Sequence, residues 1–228
     1  MSSGDADPLA ATQTSKESVT EDRPRLRLGI LLSGRGSNFL AIAESIHQGR
    51  IANAKIAVVI SNRRAAPGIE AARNAGLPTE IIEPKGRSRT EHDAEIIAAL
   101  RANQADLICL AGYMRLLSAE FVRAFPQRIL NIHPSLLPAF PGLDAQRQAL
   151  EYGATVSGCT VHFVDEELDH GVIILQKTVP VLAEDDELSL SVRILEQEHI
   201  AYTDAINRVL SGKYQIAGRR FVPCSDGD

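Results

Sequence analysis

Over the first 135 residues, short apolar runs alternate with stretches of helical periodicity. Residues 26–32, 55–60, 79–82 and 107–111 read as strands, and residues 39–48, 67–75, 90–102 and 118–125 as the helices between them. A fifth strand closes at residues 128–132. Successive parallel strands need a crossover, and the crossover helix covers a sheet face, so this alternation predicts an α/β fold with a doubly wound, mostly parallel sheet. Residues 107–111, Leu-Ile-Cys-Leu-Ala, are apolar throughout, which marks a central strand buried on both faces. Gly76 and Pro78 stop the second helix. In such folds, ligands gather outside the carboxyl ends of the strands.

Two of those ends carry polar residues that packing does not require. After the first strand comes Ser33-Gly34-Arg35-Gly36-Ser37-Asn38 and then a helix. Strand, glycine turn and helix bring backbone N–H groups onto a phosphate, with Gly34 and Gly36 allowing close approach and Ser37 or Asn38 capping the helix. A dinucleotide site is disfavoured. Phe39 stands where the third glycine of GxGxxG would be, and the second strand ends in Ser61-Asn62 instead of an acid for the ribose. No GxxxxGK[ST] is present, so a small phosphorylated ligand fits better, with a plain tight turn as the bland alternative.

The second end is Asn131-Ile132-His133-Pro134-Ser135-Leu136-Leu137-Pro138. The prolines stop regular structure. Asn131 and His133 lie two apart and so face the same side of an extended chain. An amide that donates and an imidazole that donates or carries charge suit a developing oxyanion; a histidine that merely caps a loop is the alternative. Residues 112–117, Gly-Tyr-Met-Arg-Leu-Leu, form an apolar loop that lines a pocket or packs under a neighbour.

After Gly142 the pattern changes. Residues 144–152 read as a helix, and 157–164 and 172–181 as two strands paired around the acidic turn 165–171. Asp169, beside the flexible Gly171, is the carboxylate that would stabilise an imidazolium at His133. From Asp186, the residues Leu188, Val192, Leu195, His199, Tyr202, Ile206 and Val209 recur at helical spacing, giving a long C-terminal helix with His199 as a core histidine. Gly212 ends it. The expected organisation is a disordered tail over residues 1–24, one domain over 25–212 and an irregular tail over 213–228.

Composition narrows the function classes. Trp is absent and aromatics make up 4%, which leaves little for stacking on bases, and the formal net charge is −5, so nucleic acid is not the expected partner. Within residues 1–22, five carboxylates (Asp5, Asp7, Glu17, Glu21, Asp22) oppose one lysine (Lys16), so most of the charge lies in the tail and the body is close to neutral. No apolar run is long enough to span a bilayer, and the start lacks the features of a signal peptide. Cys109, Cys159 and Cys224 are widely spaced and odd in number, with no disulfide framework or metal knuckle; the expected location is the cytoplasm, with no metal.

These motifs, together with Gly158-Cys159-Thr160-Val161-His162-Phe163-Val164 and Glu167-Leu168-Asp169-His170-Gly171, resemble the folate-dependent formyltransferases. The glycine turn and Ala111-Gly112-Tyr113-Met114-Arg115-Leu116-Leu117 resemble the branch that formylates glycinamide ribonucleotide. The likeness runs from about residue 28 to 210. It implies a Rossmann-like fold and transfer of a formyl group from 10-formyltetrahydrofolate, a co-substrate, to the amine of glycinamide ribonucleotide. Asn131 and His133 would stabilise the oxyanion, and Asp169 would hold His133. Gly36, Ser37 and Asn38 would bind the substrate phosphate, and Glu198 its ribose or glycinamide end. Arg89, Met114, Arg115, Leu116, Leu117 and the turn from Asp165 would hold the folate. Thr160 and His162 belong to the same region, with a purely structural role left open for His162.

The chain departs from the pattern at Asp144 and Gln146, where the family often has histidines, which raises the expectation that Asp144 competes with Asp169 for His133. His170 stands where a small residue is common, and would alter the loop or face water. About 27 residues precede the first strand, too few for the regulatory domain of a formyltetrahydrofolate hydrolase, and the chain ends too soon for the extra domain of a methionyl-tRNA formyltransferase. A hydrolase and a non-enzymatic α/β ligand-binding module remain the alternatives, and the state of association, monomer or homodimer, is left open.

Overall fold

The computed structural model describes residues 26–224, and the expected N-terminal tail lies outside them. One nine-stranded sheet runs through the molecule. In chain order the elements are β1 (Leu26–Leu32), α1 (Ser37–His47), β2 (Ala54–Ser61), α2 (Pro67–Asn74), β3 (Thr79–Ile81), α3 (Arg89–Ala102), β4 (Leu107–Leu110), α4 (Ala119–Ala124) and β5 (Ile129–His133). Then follow α5 (Ala145–Tyr152), β6 (Val156–Phe163), β7 (Ile173–Pro180), α6 (Glu187–Leu210), β8 (Tyr214–Ala217) and β9 (Arg220–Pro223).

The strand order is β3-β2-β1-β4-β5-β6-β7-β9-β8. The five strands β3, β2, β1, β4 and β5 are mutually parallel; β6 pairs antiparallel with β5, and β7 antiparallel with β6. The chain winds outward from β1 to β3 and then crosses to β4 on the other side of β1. The crevice between the carboxyl ends of β1 and β4 is therefore the switch point where such sheets bind ligands.

Alternation along the strands divides the core. Leu28, Ile30, Leu32 and Val59 join one buried cluster with α1, α2 and α6, while Leu31, Val58 and Ile60 join a second with α3 and α4. Ser88 and Asp186 each build a capping box at the start of α3 and α6. The Asp185 carboxylate binds Arg193 through two contacts of 2.7 and 2.9 Å, and that bond holds its carboxyl well below the usual range.

Three expectations need correction. Residues 214–217 and 220–223 are not irregular: they pair as an antiparallel hairpin, and β9 joins the sheet at Ile173. Tyr214 stacks on Phe221 with ring centroids 4.5 Å apart, and both rings approach Phe163, which gives this short hairpin an apolar face to fold against. On α6 the buried stripe is Leu190, Ile194, Glu198, Ala201, Tyr202, Ala205 and Ile206. Leu188 and Val192 are 71% and 52% exposed, and His199 is only partly buried. A 3.6-residue period can be traced through either row, and the sheet takes the row with the small residues, which lets the helix approach closely enough for the Tyr202 hydroxyl to reach the Leu110 and Leu130 carbonyls at 3.1 and 3.0 Å. The third correction concerns α1. Its N-cap is Gly36, at φ 74°, with no side-chain cap bond from Ser37 or Asn38.

Candidate active site

β5 presents Asn131 and His133, and the antiparallel register sets His162 opposite Asn131 and Thr160 opposite His133. His133 is 5% exposed. Its Nε2–H donates to the Phe140 carbonyl at 2.9 Å, and its Nδ1 faces the Asp169 carboxylate at 3.4 Å. The same Asp169 oxygen accepts the Gly142 N–H at 2.8 Å, so the 140–142 turn and the acidic turn meet on this histidine. Sequence places Asp169 36 residues away from His133, and the fold brings them together.

His162 is the residue whose part the sequence left open. Burial holds its imidazole below the ordinary value, partly opposed by its bond to Phe163 and by the charge of Asp169. Its Nδ1–H donates to the Phe163 carbonyl at 2.8 Å, so the lone pair on Nε2 accepts from the Asn131 amide at 3.2 Å. The amide is thereby fixed with its NH2 group toward His162, and one of its two N–H bonds remains for another acceptor. The Thr160 hydroxyl donates to the Ser135 carbonyl at 2.6 Å and accepts from the Leu137 N–H at 3.0 Å. Gln176 adds bonds to Thr160 and to the Leu137 carbonyl, so β6 and β7 together hold the turn that follows His133.

The Asp165–Gly171 turn has little freedom. Asp169 has φ 50°, a left-handed conformation that costs a non-glycine residue free energy. A Cβ on Gly171 would lie 1.8 Å from the Phe163 carbonyl oxygen, so only glycine fits there. His170 does not simply face water. Its Nδ1 donates to Asp165 at 2.8 Å, and its Nε2 accepts from Arg219 on the tip of the C-terminal hairpin at 2.6 Å. Asp144 does not compete for His133; it stands at the N-terminus of α5 without a side-chain cap bond, and its carboxylate is paired with Arg147 on the outer surface. Cys109 and Cys159 are no candidates for a nucleophile, because burial pushes both thiols up to about 12.

The glycine turn lines a cavity of about 370 Å³ with Arg63, Ala111, Gly112 and Met114. Gly36 fits closely there, since a Cβ would come within 3.2 Å of the Gly68 backbone and 3.3 Å of Leu32. With Gly36 as the cap and no side-chain cap bond, the first amides of α1 have no carbonyl partner within the helix, the arrangement that suits an anion at a helix N-terminus. Arg35 and Arg63 line the same cavity and were not singled out from the sequence; a basic residue after a strand gives no signal that separates it from surface charge. Asn38 donates to Glu198 at 2.7 Å, and its own Oδ1 is buried without a partner. Burial raises the Glu198 carboxyl above its ordinary value, and the Asn38 bond partly offsets this.

The remaining positions are less gathered. Met114 and Leu116 are 64% and 52% exposed, Leu117 packs on the second core cluster, and Arg115 is half-buried with an unpartnered Nε. Arg89 opens α3 on the surface and does not line the cavity at the glycine turn, and Asp165 is turned to His170 and the Glu167 N–H. Among the described residues, no cluster of three metal-ligating side chains occurs, and no helix is long and apolar enough to cross a membrane.

Comparison with known proteins finds a family and several relatives. The family model described as formyl transferase matches residues 26–206. The chain is 48% identical over 195 residues to the trifunctional purine biosynthetic protein adenosine-3 of Drosophila melanogaster, covering 85% of this chain but only 14% of that protein. It is 42% identical over 192 residues to the phosphoribosylglycinamide formyltransferase of Escherichia coli K12, covering 84% of this chain and 90% of the relative. The crystal structure of glycinamide ribonucleotide transformylase 1 from Symbiobacterium toebii superposes with a TM-score of 0.85 at 51% identity, over 88% of this chain and 94% of that one.

Proposed function

The chain belongs to the formyl transferase family, and on that premise we propose that it moves the formyl group of 10-formyltetrahydrofolate onto the primary amine of glycinamide ribonucleotide, a step of purine biosynthesis. The observation that carries this reading is the gathering of Asn131, His133 and Asp169 at the carboxyl end of β5, two strands from β1, whose carboxyl end carries the glycine turn.

In this reading the amine attacks the formyl carbon, and the carbonyl oxygen becomes an oxyanion. The free N–H of Asn131 donates to it. His133 exchanges the Phe140 carbonyl for the oxyanion and carries the proton that the folate nitrogen needs to leave. Asp169 keeps a negative charge at the far nitrogen of that ring. Because His162 accepts from Asn131, the amide cannot turn its oxygen into the site. The phosphate of the acceptor sits on the amides of residues 36–38, where the helix end and the guanidinium groups of Arg35 and Arg63 favour an anion. Glu198 and the Asn38 oxygen accept from its hydroxyl or amine donors. Met114, Leu116 and Leu117 offer apolar surface to the donor's ring. Cys109, Cys159 and Cys224, none of them in a disulfide, suit a reducing compartment.

A formyl-transfer assay with and without the amine acceptor tests the reading. The protein should formylate glycinamide ribonucleotide and release no formate in its absence. His133→Ala should lose about 10²–10³ in kcat with the donor KM held. Formate release at an undiminished rate without the amine would make the enzyme a hydrolase, and normal turnover by the variant would remove His133 from the chemistry.

A further inference from the structure

We infer that Ser33 is a positioning residue that couples the two substrate sites, so that filling the phosphate cradle tightens the segment that holds the formyl donor, and the reverse. This rests on the functional reading above. Ser33 is 2% exposed and stands at the switch point, between the end of β1 and the glycine turn. Its backbone N–H donates to the Gly112 carbonyl at 3.0 Å, and its hydroxyl oxygen accepts the Met114 N–H at 2.8 Å. One residue thus holds both sides of the left-handed Gly112, at φ 74°.

The loop has a second anchor at its far end, where the Ser118 N–H donates to the buried Asp93 carboxylate at 2.6 Å. Between the anchors, Tyr113 and Leu117 pack on the second core cluster, while Met114 and Leu116 are mostly exposed, so the main chain at Met114 is fixed chiefly by its bond to Ser33. The first anchor belongs to the cradle and the second to α3, so a shift or stiffening of the glycine turn passes to Met114 and not to Ser118. Met114 also lines the 370 Å³ cavity with the turn itself, so the donor loop supplies a wall of the acceptor site. Coupling of this kind is reciprocal, since each ligand gains what the other gains. The bland reading takes the Ser33–Gly112 bond as the β1–β4 ladder running on one residue further. That reading does not need the hydroxyl and expects no coupling.

Calorimetric titration separates the two readings. Glycinamide ribonucleotide is titrated into the protein alone and into protein saturated with tetrahydrofolate, which lacks the formyl group and does not turn over. Wild type should bind the nucleotide at least about fivefold tighter in the second case. Ser33→Ala should lose that factor, while Met114→Ala, which keeps the backbone bond, should retain it. In the wild-type protein, which needs no variant to fold, hydrogen exchange at residues 112–114 should slow on adding the nucleotide alone. Equal affinities in wild type, coupling that survives Ser33→Ala, coupling lost only in Met114→Ala, or unchanged exchange would each overturn the inference. If wild type binds neither ligand, the functional reading fails and takes this inference with it.

Discussion

Asn131 offers the sharpest test of the oxyanion assignment, because two substitutions there separate size from chemistry. The side chain spends one N–H on the His162 lone pair, 3.2 Å away, and has one left for the reaction. Asn131→Ala removes that donor, and loss of one such donor costs about 10²–10³ in kcat. Asn131→Asp is closer in shape and should be worse. It removes the donor and sets a carboxylate against the forming oxyanion. Two unit charges about 4 Å apart, at an effective dielectric of about 20, repel by about 4 kcal/mol, which is about another thousandfold in rate.

The same carboxylate would draw a proton onto His162 Nε2, reversing the neutral state in which burial now holds that ring. The aspartate variant's loss should therefore be partly relieved at low pH, where the introduced carboxylate is neutral, and the alanine variant's should not. The assay is single-turnover formyl transfer with both substrates saturating, at several pH values, with thermal midpoints recorded to confirm folding. The expected order is wild type, then alanine, then aspartate. An aspartate variant as fast as the alanine variant would mean that this side chain packs in the site and donates nothing to the reaction.

Glu198→Gln keeps an acceptor for Asn38 and removes a buried charge. The wild-type carboxyl is raised, so its stabilising contribution is present below about 4.5 and lost as pH rises through the folded value. The variant should therefore melt higher than wild type at neutral pH, by about 2–4 °C for each kcal/mol recovered, while its KM for glycinamide ribonucleotide rises; an unchanged KM would remove Glu198 from substrate binding. His162 works in the opposite sense. Its folded value is depressed, so its contribution is complete above the ordinary 6.5 and is lost as pH falls from there toward the folded value. The thermal midpoint should fall across that window in wild type and less steeply in His162→Gln, with His199, also lowered by burial, acting in the same sense. Gly171→Ala forces a Cβ to within 1.8 Å of the Phe163 carbonyl. The acidic turn must shift, and kcat should fall by at least as much as in Asp169→Ala; near-normal turnover would show that the placement of Asp169 does not matter.

The parallel half of the sheet was legible because each strand is an apolar run bounded by turn residues, and each helix is short enough for one period to be unambiguous. The glycine turn and the Asn131–His133 pair were legible for a local reason, since their geometry is set within six residues. What failed was non-local. Along α6 the pattern supports two rows, and only the sheet beneath decides that Leu190 and Ile194 go inside while Leu188 and Val192 stay out. Glu198 interrupts the buried row with a charge, which hides the row from a reading that looks for apolar residues. The β8–β9 hairpin has only Tyr214, Ile216, Phe221 and Val222 to announce it, and the two rings find their partner in Phe163, some 50 residues earlier. His162 was ambiguous because its tautomer depends on its own neighbour's carbonyl and on burial, neither of which is written in the spacing.

The placement of Asp169 shows why a candidate carboxylate partner for His133 could be proposed but not located from sequence. β6 runs antiparallel to β5, so the chain leaves β6 beside the start of β5, where Val164 donates to the Ile129 carbonyl at 2.9 Å. At that level a turn would lie too far back for its carboxylate to reach His133. The turn instead folds forward along the sheet, past His162, whose Nε2 lies 3.8 Å from Asp169, until the carboxylate stands 3.4 Å from His133. Three features hold it there: the absence of a Cβ at Gly171, the left-handed backbone at Asp169, and the Gly142 N–H, which donates to the Asp169 carboxylate at 2.8 Å. Each has a local cost or a strict steric demand, and none adds apolar contact to the core. A turn selected for stability alone would have no use for all three, whereas a turn that must hold one carboxylate beside one imidazole needs them together.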